Sequence, residues 1–314
     1  MREHAWLFGE HRTLVAIVTD PAGRDVHATA PVGAIFLNAG VIHRVGPSRL
    51  YVHLARALAG VGWLSVRLDH SGIGDSPVRR DGRSFDESAV SEAREVMDGL
   101  EESRGIRRFV LIGLCSGAVT SFDTAGVDER VAGVVMINPQ GFDENAAWND
   151  YIQNRGHARK YWKQSFFSVQ SWWNALTGRI HYRRLATVLW RQATAGVRAD
   201  DVIMPVVTRV ATDLQKLMHR HVRTLLVCSE GDDGIEYMNV ILEEDVRSMP
   251  PSPHLAVEIL PGADHSLTLR ASQRRVVDAV RRWAASLESD LAGRAEAAHP
   301  MTVAPALETL SALQ

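Results

Sequence analysis

Residues 109–124, FVLIGLCSGAVTSFDT, decide how this chain folds. Phe109 to Ile112 is an apolar run of strand size, and the residues from Ala118 onward continue as a short helix. Between them stands Gly113-x-Cys115-x-Gly117. A buried strand that bends sharply into a helix brings two backbones close together, so the positions two residues to either side of the bend must lack side chains. The residue at the crest is held in a strained turn and projects above the sheet. This is the spacing of a nucleophile elbow, with sulfur in place of the usual serine oxygen. The helix start offers unpaired N–H groups and the positive end of its dipole, which favour an anionic sulfur and an oxyanion. An inert buried thiol in a glycine turn is the competing reading of Cys115, and Ser116 stands one position off the centre.

Outward from this bend the chain repeats one alternation. Ala5–Phe8 and Leu14–Val18 read as strands closed by the turn Asp20-Pro21-Ala22-Gly23, and Ala34–Leu37 reads as a buried strand entering Asn38-Ala39-Gly40. Pro47 and Ser48 open a helix whose apolar positions Leu50, Leu54, Ala57, Leu58 and Val61 recur at helical spacing. Trp63–Leu68 is the next strand, followed by a glycine-rich loop over 69–77. Ser84 with Glu87 makes a capping box for a helix presenting Val90, Ala93, Val96, Met97 and Leu100. Val131–Ile137, Thr224–Cys228 and Val257–Leu260 read as further strands, with helices carrying Met238, Ile241, Leu242 and Val246, and then Val276, Val277, Val280 and Trp283. Such alternation predicts an α/β fold, a mostly parallel eight-stranded sheet with helices on both faces. It stops over 141–221, where Trp148, Trp162, Trp172, Trp173 and Trp190 stand in a polar, helical stretch. The expectation is a core of 1–140 and 222–292, a Trp-rich helical cap at 141–221, and a loosely attached tail at 293–314.

A nucleophilic thiol needs a base, and the base an orienting group. In enzymes built on such an elbow the chain order is nucleophile, acid, histidine, the acid following a late strand and the histidine following the last one. Thr224–Cys228 runs into Ser229-Glu230-Gly231-Asp232-Asp233, and the last strand runs into Gly262-Ala263-Asp264-His265. Asp233 is assigned as the orienter, with Asp232 as the alternative acid, and His265 as the general base. The oxyanion hole is expected from the N–H of Ser116 and that of Val41, with Gly40 close behind. His43 and Arg44 either meet a substrate carboxylate or brace their loop. Trp172 and Trp173 are candidates for an apolar acyl pocket beneath the cap. His70 reads as structural, Asp69 as a tie to backbone donors in its loop, and Cys228 as core.

Composition narrows the classes. With 314 residues, 46% of them hydrophobic and 23% charged, the chain is neither disordered nor collagen-like. Lys plus Arg (35) and Asp plus Glu (37) nearly cancel, so net charge gives no footprint for nucleic acid or an anionic membrane. Two cysteines build no disulfide network, the first residues carry charges where a secretory signal needs an apolar run, and no apolar run reaches the ~18 residues of a membrane span. The expectation is a cytoplasmic protein with reduced thiols.

On the elbow GLCSG (113–117), the loop LDHSGIGDS (68–76), the turn EGDD (230–233) and the loop GADHS (262–266), the chain resembles the α/β-hydrolase superfamily over roughly residues 30–290. More narrowly, NAGVIHRVGP (38–47) together with GLCSGA is similar to the hydrolases associated with exosortase systems and to the serine aminopeptidase S33-like group. The resemblance implies the α/β-hydrolase fold, a triad of Cys115, Asp233 and His265, and no metal or organic cofactor. The cysteine departs from most of the superfamily. Dienelactone hydrolases and polyhydroxyalkanoate synthases also carry one there, so the reaction stays open. Three readings follow: an acyl-Cys115 intermediate formed from an ester or thioester, carrier- or CoA-linked substrates included, and released to water; its transfer to an amine or alcohol; or a binding protein without turnover.

Overall fold

The computed structural model describes residues 1–22, 32–142, 204–250 and 252–298. Strands β1 (Glu3–Phe8) and β2 (Leu14–Thr19) form an antiparallel hairpin. Then come β3 (Gly33–Leu37), a 3-10 turn (Pro47–Arg49), α1 (Leu50–Gly60), β4 (Leu64–Leu68), α2 (Phe85–Arg104), β5 (Phe109–Leu114), α3 (Ser116–Val127) and β6 (Val131–Ile137). A helix over 204–219, here α4, leads to β7 (Arg223–Ser229), α5 (Asp233–Ile241), β8 (Leu255–Leu260) and α6 (Arg270–Ala298).

One eight-stranded sheet runs in the order β1-β2-β4-β3-β5-β6-β7-β8. β2 is antiparallel to β4, and the strands from β4 to β8 are parallel. The α/β-hydrolase fold with its mostly parallel sheet is therefore present. Every residue of β3, β4 and β5 is buried, as expected of central parallel strands covered on both faces, whereas edge strand β1 alternates in exposure. Alternate side chains feed two layers of core. Ala34, Phe36, Val110 and Ile112 pack against α1 and α6, while Ile35, Leu37, Leu111 and Met136 face α2, α3, α4 and α5.

The chain order reverses between β3 and β5, where β4 lies to one side and β6 to the other. Loops leaving the carboxyl ends of β3 and β5 must splay apart there and leave a crevice. Tyr51, fully buried on α1, donates its hydroxyl to Leu37 O and accepts from Leu114 N, each at 2.9 Å. It ties the two strand ends together where they diverge.

Several expected boundaries shift. The capping box Ser84/Glu87 forms and opens α2. Val246 is not on α5: that helix ends at Ile241, Glu243 takes a left-handed φ of 54°, and the Asn239 side chain accepts from Val246 N at 2.9 Å. The end of the stretch expected as cap is α4, whose Val206, Val207, Val210, Leu214 and Leu217 pack into the α3 layer of the core. The expected tail begins as helix, because α6 runs six residues beyond Ala292 to Ala298. The cap tryptophans, Trp172 and Trp173 among them, lie outside the described residues. No helix among the described residues is long and apolar enough to cross a membrane.

Candidate active site

Cys115 sits between β5 and α3 with φ 57° and ψ −123°, a strained conformation for a side chain with a Cβ. The glycines around it explain how the bend closes. A Cβ on Gly113 would overlap the backbone of Gly117, and one on Gly117 would lie 2.5 Å from Asn38 O and 2.7 Å from Leu37 O. Strand β3, the elbow and α3 therefore meet backbone against backbone, and Cys115 remains partly exposed at the crest.

His265, in the loop after β8, is one-third exposed, and Cys115 is close enough to act on its pKa. Its Nδ1 lies 2.6 Å from Asp232 Oδ2, and Asp232 is 5% exposed. The carboxylate on His265 is thus Asp232 and not Asp233. Asp232 is the N-cap of α5 and accepts from Gly234 N at 2.7 Å, so its side chain folds back over the helix start toward the sheet edge. Asp233 is the first helical residue, one step further round, and does not bond His265. Gln140 donates to the same Oδ1 of Asp232 at 3.2 Å, so both carboxylate oxygens are engaged. The hydrogen bond that His265 makes to Asp232 first, and its interaction with Cys115 second, push its pKa up to about 10 against the opposing effect of burial.

Three residues that the sequence reading passed over hold this histidine. Asn138, fully buried at the end of β6 with φ 43°, donates to His265 O at 2.8 Å and to Ser229 Oγ at 3.0 Å, and it accepts from Ser229 N at 2.7 Å. Ser229 Oγ donates to Asp264 O at 3.0 Å. With Gln140 these groups join the ends of β6, β7 and β8 into one hydrogen-bonded platform. The available signal was Asn138 itself, since asparagine is the side chain most tolerant of left-handed backbone.

On the other side of the sulfur, Gly40 N donates to Ser116 Oγ at 2.9 Å, bridging the β3 loop to the elbow. The N–H groups of Ser116 and Val41 meet no acceptor among the described residues, and Val41 is 91% exposed. The loop is held by Asn38, which donates to Ile42 O at 3.0 Å and accepts from His70 N at 2.8 Å. Arg44 is a brace: its backbone N–H donates to Asp69 Oδ1 at 2.6 Å, its guanidinium bonds Asp69 Oδ2, and its Nη2 reaches Asp75 at 2.6 Å. His43 is exposed on the same loop. His70 is structural, with Nδ1 3.0 Å from Glu92 Oε2, and both groups are buried. Hydrogen bonds from His70 and Ser71 outweigh burial, which alone would raise it, and bring the Glu92 pKa down to about 2. Cys228 is buried core, and its thiol is pushed up to about 12 by burial.

The family model described as serine aminopeptidase, S33 matches residues 29–186, just over half of the chain. The chain belongs to the serine aminopeptidase S33 family. The matched region includes the elbow, while Asp232 and His265 fall outside it. At the crest of its elbow this S33 member carries Cys115. Solved structures agree on the fold. An alpha-beta serine hydrolase homologue from Coxiella burnetii superposes with a TM-score of 0.52 at 15% identity, covering 90% of this chain and 97% of its own. A dienelactone hydrolase from Anabaena variabilis gives 0.51 at 13% identity, covering 90% and 96%. A carboxylesterase structure from Nitrososphaera gargenis gives 0.53 at 15% identity, covering 91% and 99%. No curated protein matches the chain.

Proposed function

We propose that this S33-family protein is a cysteine-nucleophile hydrolase that takes the acyl group of an ester or thioester onto Cys115 and releases it to water. The observation that carries the reading is the juxtaposition of a strained Cys115 with His265 and, behind it, a buried Asp232. In the first half-reaction, His265 takes the Cys115 proton at Nε2 as Sγ attacks the acyl carbonyl carbon. The oxyanion that forms is met by the N–H groups of Ser116 and Val41, which meet no acceptor among the described residues. The C–O or C–S bond to the leaving group breaks as His265 delivers its Nε2 proton to the departing atom. In the second, His265 takes a proton from water, hydroxide adds to the thioester carbon, and the C–S bond breaks as His265 returns that proton to Cys115 while the acid departs. Asp232 holds the imidazole in the tautomer with Nδ1–H throughout.

Sulfur in place of oxygen suits soft, activated acyl carbons. The test is intact-mass analysis after incubation with a panel of acyl thioesters and esters, followed by water, amines or alcohols. The expected result is an adduct on Cys115 equal to the acyl group, lost in water. Capture by an amine or alcohol in preference to water would instead make the protein an acyltransferase. Cys115→Ala is expected to abolish turnover and Cys115→Ser to leave a weak hydrolase, whereas full activity in Cys115→Ala refutes the assignment. His265→Ala is expected to block acyl labelling of Cys115 near neutral pH.

A further inference from the structure

The net charge of −2 conceals a separation of charge across the sheet. No Asp or Glu occurs from Val26 to Leu68, a stretch that contains the β3 loop, the 3-10 turn and α1, and that carries Arg44, Arg49, Arg56 and Arg67. The first half of α6, Arg270 to Arg282, has five arginines and one acid, Asp278. These two helices lie together on one face, sharing the core of Leu54, Leu58, Val276, Val280 and Trp283. On the opposite face α2 carries seven carboxylates against two arginines.

The basic face begins at the candidate active site. Arg49 follows Ile42 of the β3 loop by seven residues, and Arg270 follows His265 by five. Gln273 binds the two together by donating to Ser48 O at 3.1 Å and to Leu267 O at 2.9 Å. His53, one helical turn below Arg49, has its pKa lowered by burial first and then by Arg49, Arg270 and Arg56, which shows how closely the cations gather. Arg56 is paired with Glu3, and Arg282 with Glu258. Arg49, Arg270, Arg274 and Arg281 are exposed, and none is in an ion pair among the described residues. Arg49 to Arg56 spans about 10 Å and Arg270 to Arg282 about 18 Å at the helical rise. Two neighbouring helix exteriors make a convex surface, unlike the concave sites that hold small molecules. Its extent and charge complement an acidic protein surface rather than one phosphate group.

We infer that the α1–α6 face docks an acidic carrier protein that delivers the acyl group to Cys115 as a carrier-bound thioester. The inference rests on the proposed acyl-Cys115 chemistry for its purpose, but docking is measurable without turnover. The probe is a purified, unacylated acyl carrier protein, titrated against the whole chain by fluorescence anisotropy at increasing NaCl. Binding is expected to weaken at least about tenfold between 50 and 300 mM salt. The charge reversals Arg49→Glu with Arg270→Glu, and Arg274→Glu with Arg281→Glu, are each expected to weaken it about tenfold or more. Hydrolysis of a small soluble thioester by these variants should stay within about twofold of wild type. Salt-independent binding, no binding, or equal binding by the variants overturns the docking role. So does a result in which anionic lipid vesicles, coenzyme A or a second copy of this chain occupies the face and the carrier does not. If Cys115→Ala retained turnover while carrier docking remained charge-dependent, the chemistry would fail and the docking surface would stand.

Discussion

Replacing Asp232 by Asn separates the two adjacent aspartates and tests the geometry behind His265. Asp232 Oδ1 accepts from Gly234 N at 2.7 Å and from Gln140 Nε2 at 3.2 Å, while Oδ2 lies 2.6 Å from His265 Nδ1. An asparagine must turn its oxygen toward Gly234, because a backbone N–H cannot accept. Its amide nitrogen then faces His265 Nδ1 and makes that nitrogen an acceptor. The ring proton moves to Nε2, so neutral His265 has no free nitrogen with which to take a proton at the sulfur. Loss of one hydrogen bond to a charged group is worth about 1.5–3 kcal/mol, or roughly 10- to 150-fold in rate. The wrong tautomer carries the loss toward about 10⁴-fold. Asp233→Asn should leave the rate within about threefold and cost at most about 1 kcal/mol from its place at the α5 N-terminus. The assay is the rate at which Cys115 takes up an acyl group from a thioester in stopped mass measurements, with thermal unfolding as the control for fold. Equal losses in the two variants, or near-normal acylation in Asp232→Asn, refute the reasoning.

Four further outcomes follow from the structure. Gly117→Ala drives a methyl against Asn38 O and Leu37 O and should destabilise the protein by about 1–3 kcal/mol or more, read as a lower Tm with loss of acylation. Tyr51→Phe leaves Leu37 O and Leu114 N buried without their shared partner and should cost about 2 kcal/mol or more in urea unfolding. Glu92→Gln removes the buried carboxylate that accepts from Ser71 N and Arg79 Nη1 and faces His70 Nδ1, and should cost about 1.5–3 kcal/mol near neutral pH. Because the Glu92 carboxyl titrates lower when folded, its contribution is complete above its ordinary range near 4.5 and fades as pH falls through about 2, so the Tm gap between variant and wild type should narrow there. Finally, a burst of leaving group equal to the enzyme concentration should precede slow turnover, and the slow rate should rise with pH between 7 and 9.

Much of this was legible in residues whose identity is dictated by backbone. Gly113, Cys115 and Gly117 announce the bend because no other spacing lets β5, α3 and the β3 loop approach so closely. The capping box at Ser84 and Glu87 marked the start of α2, since its hydrogen bonds are local. The choice between Asp232 and Asp233 was not legible in the same way. Both are acids in one turn, and which of them points at His265 depends on whether the helix begins at one residue or the next. The platform of Asn138, Ser229 and Gln140 escaped for a different reason. Its members come from two separate strand ends, and only the folded sheet makes them neighbours. Tyr51 reads as an ordinary apolar position on α1, and its polar task appears only where β3 and β5 part.

In the proposed acyl-Cys115 cycle, the protonation of His265 bears on which half-reaction is the slower. Release of a leaving group requires the imidazolium, and removal of a proton from water requires the neutral ring. An imidazole pushed up to about 10 is prepared for the first task and poorly prepared for the second at neutral pH. In that cycle acylation would alter the balance, because an acylated sulfur has no thiol proton to share with His265. Of the two largest influences that raise His265, that of Cys115 would then weaken and that of Asp232 remain. The His265 pKa is therefore expected to fall when the proposed acyl-enzyme forms, with Asp232 still holding it up. On the proposed mechanism such a site is expected to load faster than it unloads. During that delay the proposed thioester on Cys115 would be open to whichever nucleophile can reach it and yield a proton to His265.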